Sequence, residues 1–296
     1  MNLRIDRIAT LYLVSPLRRI LATGNLSVPI LMYHSVSDDI GSRMHPYYQT
    51  TTTPEIFAAQ MQYLYTNGYR ACTLDQAINH LNGTVPAPGN PVVITFDDGY
   101  ADFYRSAFPI MNQYGLTATV YLPTAFIGER AVRFLQKDCL TWSEVRELRE
   151  HGITFGSHTV THPRLRELNA GAIKKEIVDS KNAMEGKLGC AVDSFAYPYA
   201  FPQTDTEFKR MLRELLQEAG YRNGVSTIVG RAGRKSDPLF MERLPVNSFD
   251  DRALLQAKLA GAYDWIAAPQ HLTKMAKTKM AALRSRHLTS VFSSTS

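Results

Sequence analysis

The stretch "VVITFDDGYAD", residues 92–102, joins an apolar run of strand-forming residues to two adjacent carboxylates and a glycine. Such a run predicts a buried strand, and it ends abruptly at Asp97 and Asp98. Two like charges side by side in a poorly solvated place repel each other, and a desolvated carboxylate is destabilising unless a cation or a proton compensates it. The stretch therefore predicts a strand end with a positive charge close to it.

Strand-like runs alternate with helical runs along the chain on both sides of this stretch. The sequence predicts strands at 28–34, 90–96, 117–122, 153–158, 192–198 and 221–227, and helices at 53–69, 101–114, 141–152, 169–188, 205–219 and 249–260. Thr141 and Glu144 form a capping-box pattern at the start of one of these helices. The alternation predicts βα units and an α/β fold whose parallel sheet closes into a barrel.

The composition fits one large α/β barrel or two ordinary domains, because 296 residues with 45% apolar content can bury a sizeable core. Three cysteines, Cys72, Cys139 and Cys190, are odd in number and lack CxxC spacing. This argues against a disulfide framework or a cysteine-based zinc site. We expect three buried, reduced thiols.

The net charge of +6 lies at the two ends of the chain. Residues 1–25 carry +3 and residues 267–296 carry +5, which leaves residues 26–266 slightly acidic. A basic face for nucleic acid is therefore not expected on the central domain. We predict three parts: a basic amphipathic segment 1–25, a catalytic domain 26–266 and a basic, partly disordered tail 267–296.

The segment 1–25 is too short in apolar residues to span a bilayer and lacks the cleavage site of a signal peptide. One interpretation is a helix that lies on an anionic membrane surface, so that the basic termini make a peripheral membrane contact. The alternative is a helix packed on the outside of the barrel. The expected localisation is the cytoplasm, and the alternative is the cytoplasm with peripheral contact at the inner membrane.

Two histidines follow another predicted strand, in the stretch "GSHTVTHP". Residues just after the strands of a parallel barrel gather at one face. The H-x3-H spacing of His158 and His162 predicts two imidazoles on one side of a helical turn, close enough to bind one metal ion. Two histidines and one carboxylate make a three-ligand catalytic site with open positions. The second aspartate would then be free to act as a base.

The motifs "TFDDGY" and "GSHTVTHP" resemble the first two signature motifs of the polysaccharide deacetylase family, the NodB-homology or carbohydrate esterase family 4 group. The resemblance extends over about 28–266 and includes "LMYHSV", "FAAQMQYL" with "NGY", and "SFAYPYA". It implies a distorted (β/α) barrel, a divalent metal and hydrolytic removal of acetyl groups from N-acetylated sugars. In this sequence it implies Asp97 as general base and Asp98, His158 and His162 as metal ligands.

The third motif of the family corresponds to "AYPYA", and two features of this chain depart from the family pattern. By the resemblance, the backbone N–H of Tyr199 stabilises the oxyanion. We also expect Tyr197, Pro198 and Tyr199 to wall the sugar pocket, with plain aromatic packing as the alternative for Tyr197. The family's base-orienting arginine is replaced by Ala196. Arg243, in "FMERLPV", is a candidate replacement, the alternative being a surface arginine.

The second departure is the general acid, a histidine that many members carry on their last strand. After residue 230 the only histidines lie in the basic tail. His34, in "VPILMYHSV", follows a strand of the same form that stands first in the chain. A closed barrel can bring its first and last strands together. We therefore predict a circularly permuted barrel in which His34 is the acid; the alternative is that His34 merely caps a strand.

The predicted function is metal-dependent removal of acetyl groups from N-acetylated sugars of a bacterial polysaccharide or of its lipid-linked precursor. The expected cofactor is Zn²⁺, with Co²⁺ or Ni²⁺ as alternatives, and the expected partner is an acetylated amino-sugar. A catalytically weak glycan-binding pseudoenzyme and an O-acetyl carbohydrate esterase remain alternatives. A non-haem Fe(II) oxygenase would also use two histidines and a carboxylate, but it gives Asp97 no role and does not suit alternating strands and helices.

Overall fold

The computed structural model describes residues 4–20, 26–39, 45–86 and 89–270. Its strands are β1 Ser27–Val28, β2 Ile30–Tyr33, β3 Ser35–Val36, β4 Thr51–Thr52, β5 Tyr69–Ala71, β6 Asn90–Phe96, β7 Thr119–Leu122, β8 Arg133–Phe134, β9 Lys137–Asp138, β10 Thr154–Ser157, β11 Ser194–Ala196, β12 Asn223–Val229, β13 Ala232–Gly233 and β14 Met241–Pro245.

The α-helices are α1 Ile5–Ile8, α2 Ser15–Ile20, α3 Pro54–Thr66, α4 Leu74–Leu81, α5 Phe108–Gln113, α6 Trp142–Glu150, α7 Ala170–Leu188, α8 Thr206–Glu218 and α9 Arg252–Leu259. A π-helical turn at Ala9–Val14 joins α1 to α2, and another at Phe103–Ala107 precedes α5. Short 3-10 helices occur at Pro46–Tyr48, Thr124–Phe126, Leu165–Glu167 and Asp264–Ile266.

Seven parallel strands form a closed barrel in the order β2, β14, β12, β11, β10, β7 and β6, and β6 pairs again with β2. The first barrel strand therefore lies between the last strand and β6. An eighth strand, β5, pairs with β6 and extends the sheet beyond the ring. This arrangement confirms the predicted (β/α) barrel. Whether the barrel is circularly permuted depends on a comparison of its strand order with that of relatives, so the permutation stays a prediction.

Strand β6 occupies the residues predicted for it, and α6 begins with the predicted capping box of Thr141 and Glu144. The elements that were not predicted from the sequence include the helix α4 and the strands β5 and β14. The cysteines are free, as expected, but only Cys139 is buried. Cys72 and Cys190 are half-buried, so the prediction of three buried thiols is wrong for two of them.

Two apolar cores hold the barrel. The inner core contains strand side chains such as Ile30, Val93 and Tyr121, and the helix α4 closes one end of it with Leu74 and Leu81. A larger outer core lies between the sheet and the surrounding helices. Because side chains alternate along a strand, β6 directs Val93, and with it Thr95, into the barrel. Polar side chains near the carboxyl ends of the strands therefore meet inside it.

The helical residues 5–20 lie against α9, so part of the predicted segment 1–25 is packed on the outside of the barrel. No helix in the described part of the chain is long and apolar enough to cross a bilayer. Most of the predicted tail, residues 271–296, lies outside the described residues. The three-part division of the chain stays a prediction.

The barrel wall leaves no room for a side chain at Gly156 in β10. A Cβ atom there would lie 2.9 Å from the backbone oxygen of Ser194 and still nearer the ring of Tyr121. We expect Gly156→Ala to lower the free energy of unfolding by about 1–3 kcal/mol in a chemical denaturation experiment, because the clash falls on backbone and on a buried ring.

The matched control is Gly186→Ala in the helix α7, where an added Cβ meets no atom within 4 Å. This change should raise the free energy of unfolding by roughly 0.5–1 kcal/mol, because alanine is the better helix former. Equal effects of the two changes would contradict the packing described for the barrel wall.

Candidate active site

Four strands of the barrel end in polar side chains at the same face. Asp97 and Asp98 follow β6, and His158 follows β10. His34 follows β2, and Arg243 lies near the end of β14. Because the strands are parallel, these ends meet at the carboxyl face of the barrel, where (β/α)-barrel enzymes have their active sites.

Asp98, His158 and His162 form a buried cluster at this face, each with less than a tenth of its surface exposed. Oδ1 of Asp98 lies 3.6 Å from Nε2 of His158 and 3.4 Å from Nε2 of His162. The three potential ligand atoms lie within 4.8 Å of one another. This spacing suits one metal ion placed between them.

The protonation of the cluster also fits a cation. Nδ1 of His158 lies 2.8 Å from the carbonyl oxygen of Ala196, which only accepts, so this nitrogen carries the proton. Burial lowers the pKa of both His158 and His162 to about 4, so the rings are neutral near pH 7. Nε2 of a neutral His158 is then an acceptor that faces a carboxylate oxygen, an arrangement that a cation between them would stabilise.

The pKa of Asp98 also supports a cation in this cluster. Burial raises it, and the negative charge of Asp97 raises it further, although the neighbouring histidines act in the opposite direction. A divalent cation in the cluster would compensate this buried charge. The donor set of two imidazoles and one carboxylate is that of a catalytic zinc site, so the residues fit the metal.

The backbone of the histidine loop is not helical, so the predicted helical turn from His158 to His162 is wrong. Thr159 and His162 have φ of 68° and 54°, in the left-handed region. Glu176, from α7, accepts hydrogen bonds from the backbone N–H groups of Val160 and Thr161 at 2.8 and 2.9 Å. The loop is thus held by a carboxylate from the following helix, and both imidazoles still reach Asp98.

Arg243 is fully buried and makes a two-pronged ion pair with Asp97, with both N–O distances 2.7 Å. Its Nε donates to the carbonyl oxygen of Ser226 at 2.9 Å, and one terminal nitrogen also donates to Oγ1 of Thr95 at 3.1 Å. The alternative of a surface arginine is therefore wrong. Arg243 fixes the orientation of Asp97 from inside the barrel.

The ion pair sets the charge of Asp97. Burial alone would raise the pKa of this carboxyl, but the guanidinium of Arg243 outweighs it and holds the pKa well below its ordinary value. Asp97 and Asp98 are adjacent in sequence, yet their pKa values shift in opposite directions. The φ of 71° at Asp98 helps to turn its side chain away from Asp97 and toward the histidines.

His34 follows β2, the strand that lies between those of Asp97 and Arg243. Its Nε2 is 4.0 Å from Oδ2 of Asp97, and about a fifth of its side chain is exposed. The imidazole therefore faces both the buried carboxylate and the open part of the site. This position suits a catalytic acid better than a simple strand cap, although the role of His34 stays a prediction.

A cleft of about 660 Å³ lies beside the cluster and is lined by Tyr197, Pro198, Tyr199, Arg164 and Arg166, among others. Tyr199 is two-fifths exposed and its ring lies 4.6 Å from that of His162. Tyr197 is buried and packs edge-to-face on Phe201 at 4.9 Å, so packing accounts for most of its surface.

Several residues of the site were not predicted from the sequence. Glu176 and Thr95 hold functional groups in place, Arg164 stacks on the ring of Tyr199 at 4.7 Å, and Phe134 packs on His162 at 5.2 Å. These contacts depend on how distant segments meet. Thr95 alone had a signal in the sequence, since it lies two residues before Asp97 on the same strand and so faces the same side.

The closed parallel barrel and the buried, charged cluster at its carboxyl face define a (β/α)-barrel protein with a candidate active site. A family model described as polysaccharide deacetylase matches residues 84–224. The Bacillus subtilis (strain 168) protein YxkH, named for the same family, is 30% identical over 220 residues, which cover 74% of this chain and 71% of that protein. The chain therefore belongs to the polysaccharide deacetylase family, which confirms the resemblance seen in the motifs.

The similarities to solved structures and to a further relative agree with this membership. The structure of the Streptococcus pyogenes deacetylase PplD in complex with acetate has a TM-score of 0.68 and 25% identity, over 79% of this chain and 99% of that one. IcaB from Ammonifex degensii has the same fold, with a TM-score of 0.65 and 23% identity, over 80% of this chain and 98% of that one. The poly-β-1,6-N-acetyl-D-glucosamine N-deacetylase of Escherichia coli (strain K12) is 30% identical over 139 residues, 44% of this chain and only 20% of that protein.

The tether between Arg243 and Asp97 predicts a change in pH dependence. Arg243→Lys keeps a positive charge but loses the two-pronged contact, so Asp97 should be held less well and its pKa should rise. If the ionised carboxylate of Asp97 is the active form, the acid limb of kcat/KM should move to higher pH, and the maximum should fall about 10–100-fold.

The control is Arg213→Lys, at a half-exposed arginine that also pairs with an aspartate, Asp237. This change should leave the pH profile as it is. An acid limb that stays in place in Arg243→Lys would show that the arginine does not govern the base.

Proposed function

We propose that the chain hydrolyses the N-acetyl groups of an amino-sugar polysaccharide. In this proposal Asp97 is the general base, His34 is the general acid, and Asp98, His158 and His162 hold a divalent metal ion. The observation that carries it is the pair of groups around Asp97: Arg243 fixes the carboxylate from within the barrel, and Nε2 of His34 lies 4.0 Å from it toward the open part of the site.

The metal is supported by the geometry and protonation of the cluster. Zn²⁺ suits two neutral imidazoles and one carboxylate, and Co²⁺ and Ni²⁺ are the alternatives. The chemistry that such an ion supplies is polarisation of the acetyl carbonyl and acidification of a water molecule. His158 is held in the tautomer that a ligand needs by its hydrogen bond to Ala196.

The protein groups then divide the proton transfers. Asp97 takes the proton of the attacking water, and its lowered pKa keeps it ionised at every pH near neutrality. His34 donates a proton to the departing amine, a step for which histidine is suited near neutral pH. In the family pattern the oxyanion donor is the backbone N–H of Tyr199.

An amino-sugar polymer is favoured by one relative and by the cleft. The Escherichia coli relative is named for N-deacetylation of a poly-N-acetylglucosamine. The exposed ring of Tyr199 and the open cleft next to His162 offer an aromatic surface to a sugar. A lipid-linked precursor is a narrower version of the same proposal. An O-acetyl ester is the second candidate, because its alkoxide leaving group makes less demand on His34.

The pseudoenzyme and oxygenase interpretations lose their support. The pseudoenzyme interpretation depended on the arginine that the third motif lacks, and Arg243 provides a guanidinium to Asp97 from β14. The oxygenase interpretation gives no role to a second, tethered carboxylate. We therefore retain hydrolysis, with acetate release from acetylated sugars as the assay.

Replacing His158 or Asp97 should separate metal binding from base catalysis. His158→Ala removes one of three ligands and should lose most of the bound metal, measured by elemental analysis. Asp97→Asn should keep the metal and lose about 10²–10⁴-fold in kcat, the effect of a missing general base. Loss of metal in Asp97→Asn with full occupancy in His158→Ala would mean that the roles have been assigned wrongly.

His34 should matter most when the leaving group needs a proton. His34→Ala should retain its metal, lose about 10²–10⁴-fold on an N-acetylated sugar, and lose much less on an aryl acetate, whose phenolate leaves without protonation. His151 is an exposed histidine at the C-terminal end of α6, so His151→Ala is the matched control. Equal losses on both substrates would remove His34 from the role of acid.

A further inference from the structure

The helical segment Ile5–Ile20 is bound to the domain through its polar side chains. Asp6 accepts a hydrogen bond from the hydroxyl of Tyr263 at 2.7 Å, and Oγ1 of Thr10 accepts one from Nε1 of Trp265 at 2.9 Å. Arg7 pairs with Asp251 at 2.5 Å. The polar face of this segment is thus turned inward.

Five large apolar side chains of the same segment are turned outward. Among the described residues thirteen large apolar side chains are exposed, and five of them lie here: Ile5 69%, Ile8 41%, Tyr12 69%, Leu13 63% and Leu17 56%. This is the reverse of a helix that packs on a soluble domain, whose apolar stripe faces the core. So dense a group of exposed apolar side chains marks a surface that contacts something apolar.

The charge near this surface indicates which kind of apolar partner it contacts. Arg7 and Arg18 of the helical segment pair with Asp251 and Asp264, so the unpaired positive charge comes mainly from the end of the chain. Residues 271–296 contain five lysines and arginines and no acidic residue. The described chain ends at Gln270, shortly after the turn Asp264–Ile266 that contacts the helical segment through Trp265. The basic stretch that follows Gln270 therefore starts on the side of the domain that carries the helical segment.

An anionic lipid surface satisfies both properties, because it accepts apolar side chains at the level of its headgroups and attracts lysine and arginine. A second copy of the chain fits less well. A symmetric dimer through this face would bring the same basic segments together.

We infer that the outward face of residues 5–17 is a docking surface for an anionic membrane, independent of the deacetylase proposal. Arg7 contacts Asp251 at the start of α9, and Arg18 contacts the carbonyl oxygen of Ala260 at its end. The segment therefore runs along the flank of the barrel. The predicted cytoplasmic localisation is a separate matter and stays a prediction.

The test is flotation of the full chain with vesicles of phosphatidylcholine, with and without phosphatidylglycerol. Wild type should float with the anionic vesicles and much less with the neutral ones. Leu13→Ser combined with Leu17→Ser should weaken this partition about tenfold or more, since two apolar side chains are lost from the interface. The control, Tyr65→Ser combined with Val85→Ser, alters two exposed apolar residues elsewhere and should float as wild type does.

Two further measurements separate lost docking from lost folding and from dimerisation. Leu13→Ser combined with Leu17→Ser should keep the melting temperature of wild type and its rate of aryl acetate hydrolysis. A loss of flotation in this variant then reports a loss of docking. In Leu13→Trp, brominated lipid should quench the new tryptophan, whereas Tyr65→Trp should not respond. Three results would each overturn the inference. Wild type could fail to float, it could float equally with both kinds of vesicle, or it could form a stable dimer that only Leu13→Ser combined with Leu17→Ser disrupts.

Discussion

The site depends on one buried ion pair, between Asp97 and Arg243. A guanidinium and a carboxylate taken out of water are destabilising unless their hydrogen bonds are satisfied. Here both oxygens of Asp97 are paired, and the remaining contacts of Arg243 go to Ser226 and Thr95. Asp97 follows β6 and Arg243 lies on β14, with β2 between them, so the pair requires these three strands to assemble. The orientation of Asp97 therefore depends on the pairing of strands that are far apart in sequence.

The two adjacent carboxylates have different surroundings, which suits the different roles proposed for them. Asp97 faces a fixed cation, which lowers its pKa, whereas Asp98 faces two neutral imidazoles, and burial raises its pKa. Pairs of titratable groups whose environments shift their pKa values apart are typical of acid–base sites. The positive φ at Asp98 and the grip of Glu176 on the histidine loop maintain this separation. The polypeptide therefore holds the proposed metal ligands and the proposed base in separate surroundings.

The sequence predicted the local features well, because their signals are local. The apolar run of β6, the capping box of α6 and the two motifs needed only a few consecutive residues. Strand β14 was missed because charged Glu242 and Arg243 interrupt its apolar pattern, and the burial of Arg243 follows from Asp97, 146 residues away. The histidine loop was assigned wrongly because its shape depends on Glu176, beyond any spacing rule. The outward apolar face of the N-terminal helix likewise shows only when its polar contacts are known.

The central claim is that Arg243 acts on catalysis through Asp97 and through nothing else. A double-mutant cycle on acetate release measures this directly, with Arg243→Lys introduced into wild type and into Asp97→Asn. The account predicts that the lysine lowers kcat/KM in wild type but has almost no further effect once Asp97 is asparagine. Losses that multiply in the double variant would contradict it, because the arginine would then act independently of the base.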